Sequence, residues 1–177
     1  MIEHLGPNNA PIDLSKASIA ELLALYGGIM RELRERKIVR TANAPTGDYA
    51  EYLVAAALGG KLTPNSKKGR DVLAEGRHIQ VKSRVASNVR DAGQRDLSPF
   101  RSFDFDDLVI VLFAADYSVW KAARLPVELA RQRSKPDAYV NGQTVVATDR
   151  LLVEAGVEGL TERLRAATQP ARPILAE

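Results

Sequence analysis

One uninterrupted apolar run stands out in the chain, Leu108-Val109-Ile110-Val111-Leu112-Phe113, and its length predicts a central strand covered on both faces. Ile79 and Val81 instead alternate with Gln80 and Lys82, which predicts a strand with one oily and one polar face. Asp71-Val72-Leu73-Ala74 predicts the strand before it, joined through a tight turn at Glu75-Gly76. Tyr117–Arg124 predicts a further strand, and Asn141-Gly142 a hairpin turn between Tyr139-Val140 and Gln143–Val146. Helical spacing appears first with Ser15 as N-cap and Ile19, Leu22, Leu23, Leu25 and Tyr26 as the apolar face, running past Gly27-Gly28 to Arg36. A second helix is predicted from Asp48 as N-cap to Leu58, stopped by Gly59-Gly60. Others start at Pro126 and after Asp149, the last broken near Gly156 and Gly159 and resumed over Leu160–Arg165. Mixed elements in this order predict an α/β fold. Residues 1–14 read as an irregular arm, 15–168 as one domain, and 169–177 as a frayed tail.

A two-residue turn at Glu75-Gly76 fixes a register. Ala74 pairs with Arg77, Leu73 with His78 and Val72 with Ile79, so Asp71 falls opposite Gln80. Cross-strand partners have Cβ atoms roughly 4.5–5.5 Å apart. Asp71, Gln80 and Lys82 then share one face, within reach of a single cation and a phosphate. Phosphodiester hydrolysis needs charge neutralised on the phosphoryl oxygens and a water made nucleophilic. Mg²⁺ (with Mn²⁺ as substitute) does both when held by one or two carboxylates. Asp71 is the carboxylate, with the Gln80 amide oxygen or the Val81 carbonyl as a second hard ligand. Lys82 assists the water or stabilises the developing charge. A surface hairpin with solvated polar residues is the plain alternative.

Glu51 lies on the second predicted helix. It falls three residues after Asp48, as the partner in a capping box would. It also shares a stripe with Val54, Ala55 and Leu58, where a carboxylate needs a partner. Cap and active-site ligand are both open for it.

A carboxylate on a helix, Asp71 after Ser66-Lys67-Lys68-Gly69-Arg70, and Gln80-Val81-Lys82 on the next strand together resemble the PD-(D/E)XK, or restriction-endonuclease-like, nuclease superfamily. Gln in place of the usual acidic residue is similar to the variant in Mrr-type restriction endonucleases. The likeness spans roughly residues 46–130. It implies an α/β/α core with a mixed central sheet, flanked by an N-terminal helix and a C-terminal hairpin and helix. It implies a Mg²⁺-dependent endonuclease with Glu51, Asp71, Gln80 and Lys82 as catalytic residues. Glu51, Asp71, Gln80 and the Val81 carbonyl would hold the metal. The neutral Gln80 leaves both the number of metals and the activity open.

Charge distribution adds to this picture. The net charge of the 177 residues is only +3, but Lys67–Arg101 holds nine basic and four acidic residues, a local +5. That is the footprint of a phosphate-backbone partner, with a solvated loop as the plain alternative; the resemblance implies DNA before RNA. Lys67, Lys68, Arg70, His78, Ser83 and Arg84 are the candidate backbone contacts. Arg31, Arg34, Arg36, Lys37 and Arg40 form a second basic cluster, offset by Glu32 and Glu35, that reads chiefly as a solvated helix face, with a DNA contact as the alternative. The long 86–107 connection is rich in Arg and Phe, which can grip a strand or anchor the loop. Cysteine is absent, which excludes disulfides, thiolate zinc sites and a Cys nucleophile. Two histidines leave little material for a His-based metal centre. No apolar run is long enough to span a membrane, and the start lacks a signal-peptide pattern, so a cytoplasmic protein is expected. A chain of this size is expected to have little sequence specificity of its own, and cutting both strands would require a homodimer. The rival expectations are a nuclease-fold module that binds nucleic acid or a protein without cleavage, and a plain assembly protein.

Overall fold

A computed structural model describes residues 13–64, 69–88, 91–137, 139 and 142–168. The chain divides into two compact units, residues 1–42 and 43–177, at the Thr41–Pro45 loop. Lys67 and Lys68, the 1–12 arm and the 169–177 tail lie outside the described residues.

The first unit is built on helix α1, Ile19–Glu35. Its N-cap is Ser18, not Ser15. Ser18 Oγ accepts from the Glu21 N–H at 3.3 Å, and Glu21 Oε2 accepts from the Ser18 N–H at 2.8 Å. This capping box satisfies two of the orphan donors at the helix start. Ser15 instead sits in a short 3-10 turn, Leu14–Lys16, capped by Asp13. Gly27-Gly28 does not interrupt the helix.

The second unit is α/β. Its six-stranded mixed sheet has the order β1 (Lys61–Leu62), β2 (Val72–Ala74), β3 (Arg77–Val85), β4 (Asp107–Phe113), β5 (Val119–Pro126) and β8 (Glu158–Gly159). Only β3 and β4 run parallel; the other neighbours are antiparallel. β4 is buried at every position, as its apolar run predicts. Val109, Val111 and Phe113 face a core shared with α2 (Thr46–Ala57) and α4 (Thr161–Ala167). Leu108, Ile110 and Leu112 face a second core with Phe100, Phe105 and α3 (Val127–Arg133). Helices therefore cover both faces. No helix among the described residues is long and apolar enough to cross a membrane.

Several boundaries differ from the sequence expectation. Helix α2 starts at Thr46 with Pro45 as N-cap, so Asp48 lies in the first turn rather than capping it. Its charge suits the positive end of the helix there. Glu51 is then a turn too late to close a capping box. Tyr117 is not a strand residue; it takes φ 62° in the turn before β5 and packs its ring near Phe113. The C-terminal hairpin pairs β6 (Lys135–Asp137) with β7 (Gly142–Thr144), so its first strand precedes Tyr139. The helix expected directly after Asp149 is a single 3-10 turn, Leu151–Val153. The long 86–107 connection is anchored by Phe100, Phe103 and Phe105, whose ring centroids lie 5.6–5.9 Å apart.

Candidate active site

The turn between β2 and β3 sets the site. Glu75 and Gly76 both take positive φ, 53° and 73°, which is the type I′ geometry that matches strand twist. The register is the expected one: Ala74 with Arg77, Leu73 with His78, Val72 with Ile79. Beyond Val72 the two strands part, and among the described residues β3 has no further strand partner on that side. Asp71 sits at the fork. Its N–H donates to the Ile79 carbonyl at 2.9 Å, and its own carbonyl accepts from the Thr63 N–H at 2.9 Å. Its carboxylate Oδ2 accepts from the Val81 N–H at 2.7 Å and from Gln80 Nε2. A side chain thus replaces the missing ladder bond, which fixes the carboxylate beside β3.

Gln80 and Lys82 lie on the face of β3 opposite Ile79 and Val81, in line with Leu108 and Ile110 of β4. The Gln80 amide also donates toward the Val81 carbonyl at 3.3 Å. Gly69, at φ +81°, leaves room beside it: a Cβ there would come 3.7 Å from Gln80 Oε1 and 3.4 Å from Ser102 Oγ. Lys82 reaches the long connection. Its Nζ donates to Ser98 Oγ and the Pro99 carbonyl, each at 3.1 Å, and lies 5.1 Å from the centre of the Phe100 ring. Burial pushes the Lys82 ammonium below the ordinary lysine range, while the fields of Asp71 and Glu51 work against that shift. Glu51 lies half-buried on α2, with Val54, Ala55 and Leu58 of its stripe buried as expected.

The candidate backbone contacts separate into two groups. Arg84 is exposed, as is Arg101 further along. Arg70 is tied to Asp104, with Nη2 2.6 Å from Oδ1. Ser83 Oγ donates to the Thr46 carbonyl at 3.2 Å and so fastens β3 to the start of α2. His78 is half-buried, with its backbone N–H on Asp106 Oδ2 at 2.7 Å and its buried Nδ1 without a hydrogen bond. Two other members of the basic segment are also engaged. Arg77 pairs with Asp107, and Arg95 is buried against Asp149 and the Trp120 ring. Of the six local cations among the described residues, three are thus neutralised by neighbouring carboxylates, and the field around the site is smaller than the sequence count.

Ser98 and Pro99 hold Lys82, yet nothing in the sequence marks them. They meet Lys82 only because the 86–107 connection folds back under the sheet. Among the described residues, no group of three or more His, Asp or Glu side chains is placed to hold a metal ion. Mg²⁺ needs only one or two carboxylates and keeps several waters; Asp71 is the carboxylate at the fork, the Gln80 amide turns its donor to it, and Glu51 stands on α2, which packs on the Ile79 and Val81 side of the sheet. Compared with protein-family models and with curated proteins, the chain finds no match.

The lowered Lys82 pKa has a consequence for stability. Below the folded-state pKa the ammonium is charged in both states, and the cost of burying it is fully present. As pH rises toward the ordinary lysine range the folded chain gives up this proton first, and the cost disappears. Lys82→Met is expected to melt higher than the wild type at neutral pH, with the difference shrinking as pH rises. Melting curves from pH 7 to 10 check this; a variant that melts lower than wild type throughout contradicts it.

Proposed function

We propose that the chain hydrolyses phosphodiester bonds in nucleic acid, DNA before RNA, with a divalent cation and little sequence specificity of its own. The observation that carries this is Asp71, held by the Val81 N–H and the Gln80 amide where the hairpin parts from β3, with Gln80 and Lys82 on one face of that strand. The arrangement keeps the resemblance to PD-(D/E)XK nucleases in play as the family proposal. When bound, Mg²⁺ or Mn²⁺ supplies charge neutralisation at the phosphoryl oxygens and an acidified water. Asp71 and Glu51, with the Gln80 amide oxygen and the Val81 carbonyl, would hold it. The protein's own part is positional. Asp71 is fixed by the Val81 N–H. Lys82 is steered by Ser98 and Pro99 and, with its pKa lowered, gives up a proton more readily than a solvated lysine. Arg84 and Arg101, exposed nearby, supply charge for the backbone.

One observation favours a second reading, binding without cleavage. The Gln80 amide turns its donor, not its acceptor, to Asp71. A Gln80→Glu variant separates the two. It replaces the donor with a second carboxylate facing Asp71. Losing a hydrogen bond to a charged group costs about 1.5–3 kcal/mol. For a chain of this size that lowers Tm by roughly 3–12 °C in EDTA. On the metal reading, millimolar Mg²⁺ restores most of that loss, because a cation between two carboxylates is better held than one beside an amide. A variant whose Tm ignores Mg²⁺ and Mn²⁺ favours the binding module.

A further inference from the structure

Helix α1 carries an apolar face that no described residue of its own unit covers. Ile19, Leu22, Leu23, Leu25, Tyr26 and Ile29 are all exposed, Ile19 by 80% and Leu23 by 65%. Most of a helix's stability in a protein comes from packing its amphipathic face, so an apolar face this exposed calls for a partner. The spacing says what kind. Ile19, Leu22, Tyr26, Ile29 and Leu33 alternate by three and four residues, the seam pattern of a helix packed lengthwise on another helix. The small residues Ala24 and Gly28 beside Leu25, Ile29 and Leu33 leave a shallow, open hollow on the helix surface.

We infer that two copies of this chain pair through α1, antiparallel. The charge of the unit selects both partner and direction. Residues 13–27 hold Asp13, Lys16 and Glu21, a net −1. Residues 28–42 hold Arg31, Arg34, Arg36, Lys37 and Arg40 against Glu32 and Glu35, a net +3. A parallel pair sets the two basic halves side by side. An antiparallel pair sets each basic half against the acidic half of its partner and also opposes the two helix dipoles. The basic cluster after Gly28, which a solvated surface alone leaves without a role, becomes the flank that orients the seam. The pairing is independent of the hydrolytic reading and puts two copies of the candidate site in one particle.

Sedimentation across a micromolar concentration range tests it. The wild type is expected to move from monomer to twice the chain mass, and the Leu22→Glu/Ile29→Glu double variant to stay monomeric. The chain has no cysteine, so single cysteines report geometry without background. Tyr26 sits near the helix midpoint, where two antiparallel copies approach within about 3 Å along the axis, whereas two Ile19 positions lie about 24 Å apart. Mild oxidation of Tyr26→Cys is expected to give a covalent dimer, and that of Ile19→Cys at least tenfold less. A wild type that remains monomeric at every concentration overturns the proposal. So does a double variant that still dimerises, or an Ile19→Cys chain that cross-links as well as Tyr26→Cys.

Discussion

Lys82→Ala is expected to lower the rate of phosphodiester cleavage by about two to four orders of magnitude, the range for losing a positioned proton-transfer or charge-stabilising group. The size follows from how the side chain is held. Its ammonium is fixed by Ser98 Oγ and the Pro99 carbonyl, each at 3.1 Å. Alanine leaves no group that water can replace in the same place. Asp71→Ala should cost about as much, and the double variant should be little worse than either, because groups acting as one unit are not additive. Nucleic-acid binding should survive both changes, because Arg84 and Arg101 do not depend on Lys82. Steady-state cleavage and salt-dependent binding, measured side by side, check this. Loss of binding in step with cleavage would mean Lys82 is a phosphate clamp rather than a catalytic residue.

Asp107→Ala is expected to destabilise the fold by about 3–5 kcal/mol, the usual cost of removing one partner from a buried ion-pair group. Asp107 opens β4 with its side chain only 6% exposed. Arg77 grips it with Nε at 2.6 Å and Nη2 at 2.8 Å, and Arg124 with Nε at 2.9 Å and Nη2 at 2.7 Å. Arg124 also reaches Glu75 in the turn, at 2.7 Å. Burial alone would push the Asp107 carboxyl up; the hydrogen bonds from Arg77 and Arg124 outweigh it and hold the carboxyl below the usual range. The stabilisation is therefore complete above the ordinary carboxylate range and is lost only as pH falls through the lowered value. Removing the carboxylate leaves the largely buried Arg124 without its main partner. The same network ties the β2–β3 turn to β4 and β5, so the variant also loosens the register that places Asp71. Thermal melting should show a fall of roughly 6–20 °C for a chain of this size. A fall under 2 °C would show that the two arginines find water or other acceptors.

Local patterns carried much of the fold. The run Leu108–Phe113 is the buried central strand, and Glu75-Gly76 gives the register of β2 on β3, because a two-residue turn leaves few alternatives. Asp71 opposite Gln80 followed from that register alone. Other features were hidden because they depend on pairs far apart in sequence. The Lys82 contact with Ser98 and Pro99 depends on the 86–107 loop folding back, and no local rule reports it. Arg70, Arg77 and Arg95 count as free cations in the sequence, but each meets a carboxylate at least 30 residues away. The true helix caps differ from the expected ones for a local reason. Ser15 and Asp48 are good capping residues with a competitor close by: Ser18 has Glu21 three residues on, and Pro45 fixes the start of α2.

The central claim is that the fork between β2 and β3 is a hydrolytic centre. Its most direct test is a time course of the purified wild-type chain with linear and circular DNA in Mg²⁺, in Mn²⁺ and in EDTA, with Lys82→Ala run in parallel. The account predicts fragments that accumulate with either cation, none in EDTA, and none above background from the variant. Intact DNA under all three conditions, or cleavage that Lys82→Ala retains in full, would contradict it.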